Sequence, residues 1–501
     1  MWDNIWEWIL RRVVNLREEE LGFSKYDNSE KIKEWTEIYE GKAHWVNYSS
    51  ELGEYITAES NTGAAIASEL ARLTTIELES TVSGGAEADY VNEQYQRVVE
   101  SLRLPTEYAI AKGGMIMKPY ISGDKILVEF IQNGDFIPIK FNDANELVSV
   151  AFVETIARDK NVYNRVELHE LKPDKTYTIT NKVYMGNSLK LEKGTEVPLS
   201  TVPEWKDLER EVELNNLDNP LYGYFRPPFS NLDNSSSNLG VSVFSKVEKL
   251  IERLDRQNSL LVHEYKATRA KILLDRVFTM NLPEGEKWSF VNSDIYELLD
   301  VSQAAGTTEA FYKVYGPAIR QAEIMAGINK YQRDIEFNVG LTYGTLSNVS
   351  DTEKTAEEVR FSKQRSYSTV SDIQKSLENA LIDLVSAMIS LTSLYNLASV
   401  DKVNGDILVD SDNVEYEVAF NFDDSIVVDA KSNLEEVVQG IEKGLVHPKR
   451  YLMLKYGMTE EQALEELAEI KEFNSTDEKA VSAPVTNQVQ DPNAIDQETN
   501  E

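Results

Sequence analysis

Three aspartates near the end of the chain, Asp423, Asp424 and Asp429, are the best candidates for metal-assisted chemistry. Three more aspartates stand shortly before them, at positions 406, 410 and 412. Nucleases that use two metal ions hold those ions about 4 Å apart between converging carboxylates, so a metal-dependent nuclease is one alternative for this chain. Because the chain contains 85 Asp and Glu residues, clustering by chance is the favoured explanation.

Other residue types that carry catalysis are absent or badly spaced. Cysteine is absent, which excludes disulfides, thiolate catalysis and thiolate metal sites. The sequence has no phosphate-binding G-x-x-x-x-G-K-S/T loop and no G-x-S-x-G nucleophile turn. Four histidines lie far apart without metal-ligand spacing, and we interpret each as structural or solvated: His44, His169, His263 and His447. We therefore predict no enzyme, no cofactor and no metal site.

A helix between Val241 and Lys271 carries the most informative charge pattern, and it contains neither proline nor glycine. At 100° per residue, its apolar face separates a basic flank, formed by Lys246, Lys249, Arg253 and Arg256, from an acidic flank, formed by Glu248, Glu252 and Asp255. One interpretation is an exposed helix with pairs four residues apart, such as Glu252 with Arg256. The other is a ring in which the basic flank of one copy faces the acidic flank of the next.

Hydrophobic periodicity predicts an α+β fold with a largely antiparallel sheet around this helix. Residues 1–75 have helical patterns, and short β-rich runs follow over 112–156 and 162–197. After a loop-like stretch over 214–240 and the charged helix, we expect a small β-rich module and a second long helix. Ser350 and Glu353 have the spacing of a capping box, which predicts a further helix of more than 40 residues. Val414 to Phe422 alternates as a strand, and short helices precede a polar end.

Two apolar segments raise the question of a membrane. Trp2, Ile5, Trp6, Ile9 and Val13 form one stripe of an amphipathic helix, which we expect to dock on its own domain because a membrane-surface helix usually has a Lys/Arg-rich polar face. A membrane-surface scaffold stays an alternative. Residues 380–400 are long enough to span a bilayer but include Asp383 and many Ser, Thr and Asn residues, and a charge at the centre of a span costs about 3 kcal/mol on insertion scales. We predict a buried helix there and no membrane partner.

The formal charge of the chain is −34, from 51 Lys and Arg against 85 Asp and Glu in 501 residues. Such a charge repels phosphate, which excludes a protein that coats DNA non-specifically. Any contact with nucleic acid must therefore be local or weak.

The order of the predicted elements, together with several segments, resembles the bacteriophage portal proteins of long-tailed phages that infect Gram-positive bacteria, the SPP1 type. The softer matches are KGGMIMKPY at 112–120 and GDFIPIKFNDANELVSVAFVE at 134–154. The most specific match is GLTYGTLSNVSDTEKTAEEVRFSKQRSYSTVSDIQ at 340–374. The likeness covers roughly residues 1–470.

The resemblance implies a portal-type fold with a mixed α/β wing, two long stem helices, a small β-rich clip and a helical crown. It assigns the parts of the chain as follows: the first part of the wing at 1–240, stem helices at 241–270 and 309–339 with the clip at 271–308 between them, a tunnel loop at 340–352, the rest of the wing at 353–432 and the crown at 433–473. The polar, apolar-poor composition of 474–501 predicts a disordered acidic tail.

The resemblance also implies a ring, usually of twelve subunits, at one capsid vertex, through which double-stranded DNA is packaged and ejected. The implied partners are the terminase large subunit, a head-completion or adaptor protein, and the capsid and scaffolding proteins. The protein would be made in the bacterial cytoplasm and reside in the virion. DNA-channel contacts are expected from Thr342, Tyr343, Thr345 and Asn348, subunit or DNA contacts from the seven charged residues of the two flanks, and clip contacts with partner proteins from Trp288, Phe290 and Tyr296.

Overall fold

A computed structural model describes most of the chain and divides it into two compact units, residues 1–423 and 424–501. The described residues are 29–46, 60–158, 161–186, 195–276 except 233, 235 and 236, 282–284, 286, 296–299, 312–348, 356–395 (with side chains from 364), 397, 416–422 and, in the second unit, most of 437–456 with 458, 463, 464 and 466–468. Several predictions lie outside these residues: the amphipathic segment over 1–14, the capping box, the polar tail and the three aspartates at 423, 424 and 429.

Four helices form the amino-terminal part of the first unit. They are α1 (Ser29–Glu40), α2 (Thr62–Thr75), α3 (Ala86–Ser101) and α4 (Arg103–Lys112). Their apolar faces meet in a core whose largest fully buried members include Trp35, Ile66, Leu70, Tyr95 and Ile110. The helical patterns predicted for 29–75 are therefore present as α1 and α2.

Antiparallel sheets follow, as the turn-punctuated runs predicted. A three-stranded sheet has the order β10-β2-β3, from Gly223–Phe225, Met115–Ser122 and Lys125–Gln132. A second sheet has the order β4-β5-β6-β7-β8 with β9 also paired to β7; its strands are Phe136–Phe141, Leu147–Arg158, Asn161–Leu171, Tyr177–Gly186, Thr195–Val197 and Glu211–Leu214. The mixed α+β class is confirmed.

The charged segment begins with a short 3-10 turn, Val243–Lys246, and continues as helix α5, Glu248–Ala267. The Ser242 hydroxyl accepts a hydrogen bond from the Phe244 N–H at 3.0 Å and starts the turn. Helix α5 packs along helix α6, Gln321–Val339. Gly327 of α6 faces α5, where a Cβ would lie 2.9 Å from the amide end of the Gln257 side chain.

Helix α6 starts later than the sequence predicted. We expected a helix over 309–339, but Tyr312–Tyr315 is strand β13 and the helix begins at Gln321. Proline at 317 disfavours helical geometry in the residue before it and lacks an N–H, and the run Tyr-Lys-Val-Tyr is rich in β-formers. Strand β13 pairs antiparallel with β11 (Lys271–Asp275), whose other neighbour, β12 (Tyr296–Leu299), is parallel to it. The small β-rich module is therefore present and extends to Tyr315.

A 40-residue helix, α7, runs over Ala356–Tyr395. Its inner face is fully buried at Ile373, Leu377, Leu381 and Leu384. Its segment Gln364–Tyr395 is long and apolar enough to cross a bilayer, but 61% of the most apolar window is buried inside the protein. Since that burial is against the chain's own elements, α7 is a core helix, as the sequence predicted.

Strand β14 (Tyr416–Phe422) returns to the amino-terminal part and pairs antiparallel with β1 (Leu78–Gly84). Its residues alternate between half-buried and exposed, which matches the predicted strand. In the second unit, Lys449–Tyr456 forms the short helix α8, within the region expected to be helical.

Candidate functional site

The polar loop that follows helix α6 begins at a sharp bend. Gly340 caps the helix with φ = 79°, a left-handed conformation that favours glycine. The Leu341 N–H donates to the Glu336 carbonyl at 2.9 Å, which satisfies one of the last carbonyls of the helix. A Cβ at Gly340 would also lie 2.1 Å from the Thr369 hydroxyl on α7. The bend thus fixes the direction in which the loop leaves between α6 and α7.

A buried carboxylate holds the middle of this loop. Glu336, in the last turn of α6, is fully inaccessible to solvent. Its Oε1 accepts hydrogen bonds from the backbone N–H groups of Gly344 (3.1 Å), Leu346 (2.6 Å) and Ser347 (2.8 Å), and its Oε2 accepts one from the Ser347 hydroxyl (2.8 Å). Hydrogen bonds to a charged acceptor are the stronger kind. No sequence signal pointed to this role, because Glu336 lies in an ordinary helical pattern.

The four residues predicted to face DNA lie in this loop with different exposures. Tyr343, Thr345 and Asn348 are exposed, whereas Thr342 is half-buried. The Thr342 carbonyl accepts from both the N–H and the hydroxyl of Thr345, at 3.2 and 2.7 Å. The Asn348 N–H donates to the Asn329 side chain at 2.9 Å. Hydrogen bonds therefore restrain the backbone of the loop, while three polar side chains lie at the surface.

The basic flank of the charged helix lies at the surface of the chain. Lys246, in the 3-10 turn, and Lys249 and Arg253, in α5, are exposed and form no ion pair with any described residue. Arg256 differs, because its guanidinium lies 2.7 Å from the Glu252 carboxylate one turn earlier. This is the pair that the intrahelical interpretation predicts; a contact between copies stays a prediction.

The acidic flank is not a continuous exposed face, which corrects part of the sequence interpretation. Asp255 is buried, and its carboxylate accepts from Trp45 Nε1 (3.0 Å), the Ser60 N–H (3.1 Å) and the Ser60 hydroxyl (2.7 Å). Glu248 is half-buried and lies 3.6 Å from Lys31. Asp255 therefore fastens the amino-terminal segment to α5 and is unavailable to a second copy.

A cavity of about 210 Å³ lies beside the loop, between the 3-10 turn, the end of α6 and helix α7. Lys246 and Arg365 line it together with the acidic Asp372. The Arg365 guanidinium stacks 3.6 Å from the centre of the Phe337 ring, a cation–π contact. Arg365 was not among the predicted site residues, and only its place in the most specific matching segment pointed to it.

The predicted clip residues are only partly located. Trp288 and Phe290 lie outside the described residues, and Tyr296 is half-buried on β12 opposite Ile272. Among the described residues of this module, β13 presents exposed apolar side chains: Tyr312, Val314 and Tyr315, at 61%, 55% and 45% exposure. The sequence interpretation missed them because it assigned this stretch to a helix.

All four histidines lie within the described residues: His169 is buried, whereas His44, His263 and His447 are exposed. His169 is buried between the Glu167 carboxylate and the Tyr177 hydroxyl, each 2.7 Å away. Burial is the largest effect on this imidazole and lowers its pKa. Among the described residues no group of three or more His, Asp or Glu side chains is placed to hold a metal.

Comparison with known families gives one match. The family model described as "Phage portal protein, SPP1 Gp6-like" matches residues 102–479, which include the paired helices, the polar loop and α7. A comparison with curated proteins gave no match.

Proposed function

We infer the function of this chain from its family: it belongs to the phage portal proteins of the SPP1 Gp6-like type. The family implies a portal role in a bacteriophage and a place in the capsid. It also implies a structural rather than an enzymatic protein. This match, over most of the chain, is the observation that carries the proposal.

We propose that copies of this chain form a closed ring, usually of twelve subunits in this family, around a channel for double-stranded DNA. Helices α5 and α6 would form the stem, and the module of β11, β12 and β13 the clip. The loop after α6 would project into the channel. The terminase large subunit and later a head-completion protein would dock on the clip, where β13 presents Tyr312, Val314 and Tyr315. Capsid and scaffolding proteins would surround the wing.

The charges of the chain suit a channel that lets DNA slide. Each phosphate that a protein neutralises adds to a salt-dependent grip on DNA. A chain with a formal charge of −34 avoids such a grip over most of its surface. The exposed side chains of Tyr343, Thr345 and Asn348 offer weak polar contacts that are easily replaced as the duplex moves.

Lys246, Lys249 and Arg253, which form no ion pair with any described residue, have two competing roles in this proposal: they contact DNA, or they contact the neighbouring subunit. Arg253→Glu separates the two. Loss of ring assembly indicates the subunit contact, whereas rings that form normally but package DNA poorly indicate the DNA contact. Arg97→Glu is the matched control, because Arg97 is exposed on α3 of the wing beside Glu93 and its reversal should change neither result.

Electron microscopy of the purified protein, negatively stained, with and without the co-expressed capsid protein, tests the proposal against both alternatives. A portal gives particles of several subunits with a central hole. A nuclease that uses Asp423, Asp424 and Asp429 would instead cleave DNA when a divalent metal is added, and a membrane scaffold would float with liposomes through Trp2, Trp6 and Ile9. Particles without a hole under both conditions would contradict the ring.

A further inference from the structure

The loop between α6 and α7 is attached to α6 at two places. Its backbone N–H groups at 341, 344, 346 and 347 donate to the backbone carbonyl or the carboxylate of Glu336. The N–H of Asn348 donates to the side chain of Asn329, seven residues earlier on the same helix. Five of the eight backbone N–H groups from 341 to 348 thus have acceptors on α6.

Among the described residues, the central acceptor is stabilised by donors of the loop alone. Glu336 is fully buried, and no described cation forms an ion pair with it. Its four side-chain partners are all donors from the loop: three backbone N–H groups and the hydroxyl of Ser347. A carboxylate taken out of water without such donors is strongly destabilised. The loop and the carboxylate therefore stabilise each other.

We propose that Glu336 is the positioning residue of this loop and that residues 341–348 move with helix α6 as one rigid body. The functional consequence of this attachment rests on the proposed function. In a portal, the side chains of Tyr343, Thr345 and Asn348 would change their distance to DNA only when α6 itself shifts. A loop that hinged at Gly340 alone would leave the Glu336 carboxylate buried without donors.

Hydrogen exchange of the full chain, read by mass spectrometry, tests the attachment. Glu336→Gln replaces one acceptor oxygen with an NH₂ group that faces N–H donors. We expect amide exchange in the peptide covering 341–348 to rise at least tenfold, while peptides of β5, β6 and β7 stay unchanged. Asp334→Asn is the matched control, because Asp334 is an acid on the same helix that pairs with Lys330 at the surface; it should leave the loop unchanged.

Loop exchange at the wild-type rate in Glu336→Gln would overturn the proposal. If that variant exchanges faster throughout the chain, Ser347→Ala decides, because it removes only one of the four donors. Faster exchange confined to 341–348 in Ser347→Ala supports the proposal, and an unchanged loop overturns it.

A second measurement distinguishes a positioning role of Glu336 from a role in stabilising the fold. Glu336→Gln should assemble rings of the wild-type subunit number but package at least tenfold less DNA per particle. Wild-type packaging by a variant whose loop exchanges faster would overturn the role in positioning. Failure of the wild-type chain to form rings at all would instead contradict the proposed function, and the exchange result would stand independently of it.

Discussion

The Glu264 carboxylate, in the last turn of α5, accepts hydrogen bonds from Arg320, the residue before α6. The donors are the Arg320 N–H at 3.3 Å and the guanidinium Nε and Nη2 at 3.1 and 2.9 Å. The guanidinium bonds hold the pKa of the Glu264 carboxyl below its usual range. This pair joins the two ends of the β-rich module at its base: Glu264 lies where the chain leaves α5, and Arg320 lies where the chain enters α6.

Glu264→Gln should loosen that base. The amide keeps one acceptor but loses the charge that favours the two-pronged contact with Arg320. We expect trypsin to cleave after Arg320 several times faster than in the wild type. Glu323→Gln, a change of an exposed acid in the first turn of α6, should not alter the rate. An unchanged rate in Glu264→Gln would show that the pair does not restrain this end of α6.

Asp255→Ala should destabilise the isolated chain. Removing the carboxylate leaves the buried donor of Trp45 and the half-buried donors of Ser60 without their acceptor, and each loss of a buried partner costs on the order of 1–3 kcal/mol. We expect the free energy of unfolding in urea to fall by about 3 kcal/mol. Trp45→Phe, which removes one donor and keeps the ring, should cost less. If the variant has wild-type stability and fails only in ring assembly, Asp255 contacts the neighbouring subunit instead.

Asp383→Asn should stabilise the protein at neutral pH. Burial, reinforced by the negative charge of Glu146, raises the pKa of Asp383 from 3.8 to about 6. Between these values the folded chain binds the proton more tightly than the unfolded chain. The contribution of Asp383 to stability therefore falls as the pH rises through 6. The difference between the two pKa values lowers the free energy of unfolding by about 3 kcal/mol at pH 7.5. The neutral asparagine avoids this loss.

Urea unfolding at two pH values checks whether the contribution of Asp383 to stability falls as the pH rises. The gain from Asp383→Asn should be largest at pH 7.5 and shrink to roughly half at pH 5, where most of the carboxyl is protonated in the folded wild-type chain. Asp372→Asn, an exposed acid on the same helix, should give no such gain. A loss of stability at pH 7.5 would mean that the Asp383 carboxylate makes a favourable contact in the folded protein.

Elements set by local periodicity were predictable, and those set by distant partners were not. The core helix α7 and strand β14 follow from patterns within single segments. Strand β13 was assigned to a helix because its pairing partner, β11, lies about 40 residues earlier. Asp255 fell on an acidic helical flank, but its partner Trp45 is 210 residues away. Glu336 has its partners within eleven residues, yet only the bend at Gly340 brings them to it.

The central claim is that DNA passes the loop after α6, and site-directed cross-linking tests it most directly. The chain contains no cysteine, so Thr345→Cys provides one attachment point for a photoactivatable cross-linker in DNA-filled particles. Ala144→Cys, in the exposed turn between β4 and β5, is the control position. We predict cross-links to DNA from position 345 and none from 144. DNA-filled particles that contain the protein but give no cross-link from 345, or as many from 144, would contradict the account.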